Sequence, residues 1–229
     1  MIFCLVNYNT TELTNCACLS ILKQHPDAEF ILFDNSDKEP FNNRDLFNMK
    51  YIDNTKGQII NFEKELEKYP NKTLQQQRLE GINFGSAKHT MSIQWLIDNL
   101  NEPVILCDTD ILLKKKIDFN NEDLYCVADI DDKWKSKNII RILPFITYLN
   151  IPKIKENKIR FFDSKRMHAL TNDRGFYYDT GASFYEDLLK FDATKFKRIN
   201  YNDYIIHFKA GSWKSFDKSL LLKYKELWS

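Results

Sequence analysis

Three short runs of uninterrupted apolar residues, Ile2–Val6, Phe30–Phe33 and Val104–Cys107, stop abruptly at polar side chains: Asn7, Asp34 and Asp108. Apolar runs without alternation are what strands covered on both faces require, and such strands belong to parallel sheets with helices packed above and below. Between the first two runs, Asn9-Thr10-Thr11-Glu12 offers an N-cap with a glutamate three residues on. Leu13, Ala17 and Ile21 then recur at helical spacing until His25-Pro26 ends the pattern. The chain therefore opens with a β-α-β unit that leaves polar residues at both strand C-termini, the side on which open α/β sheets bind ligands.

The same alternation continues. A short strand is expected near Tyr51-Ile52, a charged helix over residues 59 to 69, and a helix over 86 to 100 carrying an apolar stripe of Ala87, Met91, Trp95, Leu96 and Ile97. Beyond it, residues 124 to 128 predict a strand, 139 to 149 an extended segment broken by Pro144, 180 to 185 a short strand, and 204 to 208 a last strand. Phe216, Leu220, Tyr224 and Leu227 predict a closing amphipathic helix. No internal repeat is present.

At 229 residues, the length allows one large domain or one domain with a small appendage, and a chain of this size buries roughly 70 to 75% of its unfolded surface without disulfide or metal staples. The net charge of +1 supplies no general field for nucleic acid or anionic lipid, so any anion must meet a local site. Five cysteines, with Cys4 and Cys107 inside apolar runs, predict reduced thiols and a cytoplasmic setting. Cys16 and Cys18 are two apart on a helix and point to different faces, which removes a zinc pair. Met1 to Val6 is too short for a signal peptide, and no run approaches the ~20 apolar residues of a membrane span.

The sharpest chemical signal is Asp108-Thr109-Asp110, which follows the third apolar run directly. Two carboxylates at i and i+2 leaving a strand can face one hard cation such as Mg²⁺ or Mn²⁺, which takes one or two carboxylates plus phosphate oxygens. Spacing alone carries little: 20 Asp in 229 residues give about two such matches by chance, and Asp129-Ile130-Asp131 is another. What singles out Asp108 and Asp110 is the buried strand that delivers them, since paired carboxylates there repel unless a cation or solvent compensates. His207 also ends a predicted strand, and neutral imidazole is a competent third ligand. After it, Lys209, Gly211 and Ser212 offer a charge, a close backbone approach and a hydroxyl donor to a diphosphate.

The order VNYN, FDNS, INFGSAKH, VILCDTD and HFKAGSW resembles the GT-A glycosyltransferases over most of the chain, the N-terminal half being most similar to the bacterial family 2 type. The resemblance implies an α/β fold of the GT-A (Rossmann-like) class: a mixed, mostly parallel central sheet flanked by helices in a single domain. Residues 1–115 would form the nucleotide-binding half, and 116–229 the acceptor-binding half with a closure segment. It implies a nucleoside diphosphate sugar donor, usually of uracil, a saccharide or glycolipid acceptor, and a divalent cation. Carried over by position, Asn7 and Tyr8 line the nucleotide, Asp34 bonds the base, and Asn83, Gly85 and Lys88 flank ribose or phosphate. Asp110 holds the metal, Asp108 the metal, donor sugar or ribose, His207 completes the metal site, and Lys209, Gly211, Ser212 and Trp213 close over the diphosphate.

An inverting transfer needs a general base at the acceptor hydroxyl. The family's Glu-Asp pair matches Glu186-Asp187, while Asp179, just before the predicted 180 to 185 strand, is the favoured base; Asp163 is a third candidate. Two other classes compete. Leu106-Cys107-Asp108-Thr109-Asp110 has the outline of a haloacid dehalogenase-like phosphatase motif, although Leu112 stands where that motif wants Thr or Val. A noncatalytic nucleotide- or glycan-binding module would keep the same residues without turnover. Lys114, Lys115 and Lys116 are expected to be a solvated edge. The last helix, with Lys218, Lys223 and Lys225 opposite its apolar face, is expected to pack on the domain, peripheral contact with a membrane being the alternative.

Overall fold

In the computed structural model, the described residues are 1–67, 84–119, 123–134, 139–161, 171–172, 175–176 and 180–208. The opening apolar runs form the strands β1 (Ile2–Asn7) and β2 (Glu29–Asp34), with helix α1 (Thr11–Gln24) between them. They are followed by β3 (Met49–Asp53), α2 (Phe62–Glu67), α3 (Phe84–Asn99), β4 (Val104–Cys107) and β5 (Ile111–Leu113). The second half holds β6 (Cys126–Ala128), β7 (Ile130–Trp134), β8 (Ile139–Ile142), β9 (Ile146–Leu149), α4 (Ile151–Glu156), β10 (Thr171–Asn172) and β11 (Gly175–Phe176). It ends with α5 (Ala182–Asp192), β12 (Phe196–Arg198) and β13 (Ile205–His207).

Seven strands make the central sheet in the order β12-β6-β9-β4-β1-β2-β3. β1 pairs in parallel with both β2 and β4, β2 with β3, and β12 with β6, whereas β9 runs antiparallel between β4 and β6. The sheet is thus mixed and mostly parallel, and it crosses the midpoint of the chain without a break. Successive side chains of a strand face opposite ways, so each apolar run feeds two cores. Cys4, Val6, Ile31, Phe33, Val104 and Leu106 pack against Met91, Ile93, Leu96 and Ile97 of α3, with Ile154 of α4 and Phe184 and Leu188 of α5. Phe3, Leu5, Phe30, Leu32, Ile105 and Cys107 pack against Ala17, Cys18 and Ile21 of α1 on the other face. Cys16 joins a third, smaller cluster with Leu13, Leu112 and Phe208, so Cys16 and Cys18 do face different ways. All five cysteines are buried thiols, none of them in a disulfide.

Three local expectations are corrected. Asn9 does not cap α1: the N-cap is Thr10, and Asn9 takes a left-handed backbone (φ 54°) instead. Its side-chain oxygen accepts from the backbone N–H of Lys38 and Glu39, and its amide donates to Asp37, which pins the loop after β2 to the loop after β1. The expected strand over 180 to 185 is the start of α5, because Phe184 and Leu188 recur at helical spacing and both are fully buried. Of the helix expected over 59 to 69, α2 begins only at Phe62. The predicted C-terminal helix lies outside the described residues. Among those described, no helix is long and apolar enough to cross a membrane.

Candidate metal centre

β4 ends in the sheet interior beside β1 and β9, and the chain leaves it as Asp108-Thr109-Asp110. The Asp108 backbone N–H donates to the Phe145 carbonyl, and the Thr109 hydroxyl lies 3.1 Å from that of Thr10, at the start of α1. These ties hold the turn between the two halves of the sheet. β5 then pairs antiparallel with β13, setting His207 opposite Ile111, and the Phe208 N–H donates to the Asp110 carbonyl. A ladder of three residue pairs is therefore what carries the imidazole from the end of the described chain to the acidic turn.

One ligand atom each from Asp108, Asp110 and His207 lies within 4.8 Å of the other two. His207 Nε2 is 3.3 Å from Asp110 Oδ1, with side-chain exposures of 9% and 6%, while Asp108 is 18% exposed and opens the group toward solvent. The imidazole stacks on the Phe145 ring, with centroids 3.9 Å apart and planes at 25°, and Tyr201 meets it edge-on. Its Nδ1 is buried without a hydrogen-bond partner among the described residues, so packing against Phe145 orients the ring where a metal-bound histidine commonly uses a second hydrogen bond. Two carboxylates and an imidazole are the oxygen and nitrogen donors that Mg²⁺ or Mn²⁺ accepts, and clustering like charges in a buried turn costs free energy that such an ion removes.

The first helical turns of α3 reach the same place. Lys88 is half-buried with its ammonium 5.2 Å from the centroid of the Tyr8 ring and 5.6 Å from that of Phe62. Burial lowers its pKa, against the upward pull of Asp37 and Glu63. His89 Nε2 stands 3.5 Å from Asp108 Oδ1, an approach that nothing in the sequence singled out. Thr90 is buried and its hydroxyl donates to that of Thr180, directly before α5. Gly85 is part of α3. Tyr8 presents 41% of its surface to solvent, beside Asp37.

Two residues expected at the nucleotide, Asn7 and Asp34, are buried and hydrogen-bonded within the chain. Asn7 is fully buried: its oxygen accepts from Thr10 and Thr14, and its amide donates to Asp34 and Ser36. Asp34 is equally buried. One oxygen accepts from Asn7, the Ser36 N–H and the Ser36 hydroxyl, the other from the Phe41 N–H and the Tyr51 hydroxyl, which leaves no lone pair for a base. Together they knit the ends of β1 and β2 to each other and, through Thr10 and Thr109, to the acidic turn.

Glu186 and Asp187 lie on α5. Glu186 pairs with Lys190, and Asp187 accepts from the Arg160 N–H, whose side chain pairs with Asp98. Asp98 is nine residues from His89, or about 13 Å along the helix axis at the usual rise, so Asp187 belongs to the end of α3 remote from the acidic turn. Asn83, Asp163, Asp179, Lys209, Gly211, Ser212 and Trp213 lie outside the described residues. Asp129, of the second acidic pair, accepts from the Ile130 and Tyr201 N–H groups and the Arg198 side chain, and Asp131 pairs with Arg141.

No protein-family model matches the chain, and no curated protein matches it by sequence. Solved structures do match by shape. The galactosyltransferase LgtC, in complex with donor and acceptor sugar analogs, superposes with a TM-score of 0.54 at 15% identity, covering 88% of this chain and 74% of that one. An active-site mutant of LgtC gives 0.52 at 15% identity, covering 88% and 73%. With the strand order above, these likenesses show that the chain has the GT-A fold.

Proposed function

We propose that the protein is a metal-dependent glycosyltransferase that moves a sugar from a nucleoside diphosphate donor, a UDP-sugar, to a hydroxyl of a saccharide or glycolipid acceptor. The observation that carries this reading is the gathering of Asp108, Asp110 and His207 beyond the C-terminal end of β4 in a GT-A fold. LgtC, of the same fold, was crystallised with donor and acceptor sugar analogs. The order of motifs in residues 1–115 supports a bacterial family 2-like type, and the setting we infer is cytoplasmic assembly of a surface glycan, with peripheral contact at the membrane's inner face.

Transfer breaks the bond between the anomeric carbon and the diphosphate oxygen, and negative charge accumulates on that oxygen as the acceptor oxygen forms the new bond. Asp108, Asp110 and His207 would hold Mn²⁺ or Mg²⁺, which supplies Lewis-acid neutralisation of the diphosphate. Lys88 would add a fixed charge beside the exposed Tyr8 ring, which would stack on the base. Asn83 and Gly85 would flank ribose or phosphate, and Lys209, Gly211, Ser212 and Trp213 would close over the diphosphate. Asp179 would take the acceptor proton in an inverting displacement, since the chain next to it is held at α3 by the Thr180 bond to Thr90.

The test is release of UDP from a panel of UDP-sugars, with Mn²⁺ and with simple saccharide acceptors. The parent is expected to release UDP faster with an acceptor, and Asp110→Ala to lose about 100-fold or more of that rate. No UDP release from any donor, or Asp108-dependent phosphate release from a simple phosphoester, would replace this reading with the binding-module or phosphatase alternative.

A further inference from the structure

Each acid of the turn has its own imidazole: His207 faces Asp110 at 3.3 Å, and His89 faces Asp108 at 3.5 Å. The two histidines arrive on unlike supports. His207 comes on β13 and belongs to the group whose ligand atoms lie within 4.8 Å of one another, whereas His89 touches Asp108 from outside that group. His89 stands on α3, a helix fixed in the core by Met91, Ile93, Leu96 and Ile97. Lys88, His89 and Thr90 project about 100° apart around the helix axis. Lys88 accordingly reaches the Tyr8 ring, His89 the acidic turn and Thr90 the start of α5.

From this geometry we infer that His89 is a positioning residue for Asp108: its ring N–H holds Oδ1, so that Oδ2 is the oxygen offered to the cation and the donor. The inference rests on the metal-dependent reading above. Carboxylates that ligate metals are themselves held by hydrogen bonds, and loss of such an outer partner costs about 10- to 100-fold in metal affinity or activity. At 18% side-chain exposure, against 6% for Asp110, Asp108 is the acid nearer solvent. His89 itself is 21% exposed on the surface of a helix, so its removal leaves the core intact.

The experiment is titration of the full chain with MnCl₂, followed by the spectrum of free Mn²⁺, and calorimetric titration with UDP with and without Mn²⁺. His89→Ala is expected to weaken Mn²⁺ binding about tenfold or more and to weaken UDP only when Mn²⁺ is present. His89→Gln, which keeps an N–H donor, is expected to recover most of the loss, with melting temperatures of all three proteins nearly equal. Unchanged Mn²⁺ affinity in His89→Ala would overturn the inference while leaving the metal centre standing. So would an equal loss of UDP affinity with and without Mn²⁺, which would make His89 a direct nucleotide contact, and so would failure of Gln to rescue. A parent chain that binds neither Mn²⁺ nor UDP would remove the inference together with the reading beneath it.

Discussion

At the scale of single residues, the polar groups at the strand ends divide into those the fold consumes and those it leaves facing outward. Asn7 and Asp34 are consumed, the latter by five donors, while Tyr8, Lys88 and Asp108 keep exposed surface. That division was not legible in the sequence. Both kinds occupy the same position after an apolar run, and the partners that fill Asp34 lie up to 27 residues away. His25 shows the same point for an imidazole: it ends the α1 pattern in sequence, and in the structure its Nε2 accepts from the Ile117 N–H at 3.0 Å. Burial, Lys116 and the chain's N-terminal amine lower its pKa, while the Phe3 ring packs beside it at 5.3 Å. The neutral form is favoured in the folded state, so the contribution of His25 to stability is complete above the unfolded pKa of about 6.5. It declines as pH falls from there toward the folded value. His25→Gln, which keeps an acceptor, is expected to melt below the parent at pH 7.5, with the gap closing near pH 5; a gap that widens in acid would contradict this account.

Among the elements, those set by a long apolar run were legible, and those set by pairing between distant segments were not. β1, β2 and β4 announce themselves, because a strand covered on both faces needs no polar alternation. Where the local sequence predicts a strand over 180 to 185, the chain enters α5 at Ala182. Thr180, Phe184 and Tyr185 favour extended structure locally, and the deciding signal is the pair of buried apolar residues Phe184 and Leu188 at helical spacing. What starts α5 is Gly181, with φ 87° and its carbonyl accepting from the Ile142 N–H. A Cβ there would stand 2.1 Å from the Ile142 carbonyl oxygen. Gly181→Ala therefore combines left-handed strain with a backbone clash, roughly 2 to 4 kcal/mol, and the melting temperature is expected to fall by at least about 5 °C. A fall of less than about 1 °C would show that β8 and α5 can separate freely. Lys155 of α4 closes the other end of the neighbouring helix, donating to the carbonyls of Asp98 and Leu100 at the C-terminus of α3, where a cation also meets the helix dipole favourably.

Over the whole molecule, the sheet order β3-β2-β1-β4 with β9 antiparallel beyond it explains why chemistry collects where it does. β1, β2 and β4 run parallel, so their C-terminal ends face one edge, and there Tyr8, Asp37 and the acidic turn meet the first turns of α3. The convergence of Asp108 and Asp110 with His207 was legible because both acids directly follow one apolar strand and His207 ends another. Its agent, the pairing of β13 with β5 outside the main sheet, was not: the strand expected over 204 to 208 is present as β13, but nothing in the sequence names its partner. His89 was equally hidden, one helical residue among several polar ones. The central claim is that these three side chains grip one divalent ion. Crystals grown with MnCl₂ and UDP, measured at the manganese absorption edge, test it most directly. The account predicts one strong anomalous peak within coordination distance of Asp108, Asp110 and His207, touching the diphosphate and absent in Asp110→Ala; nucleotide bound with no peak there, or with the peak elsewhere, would contradict it.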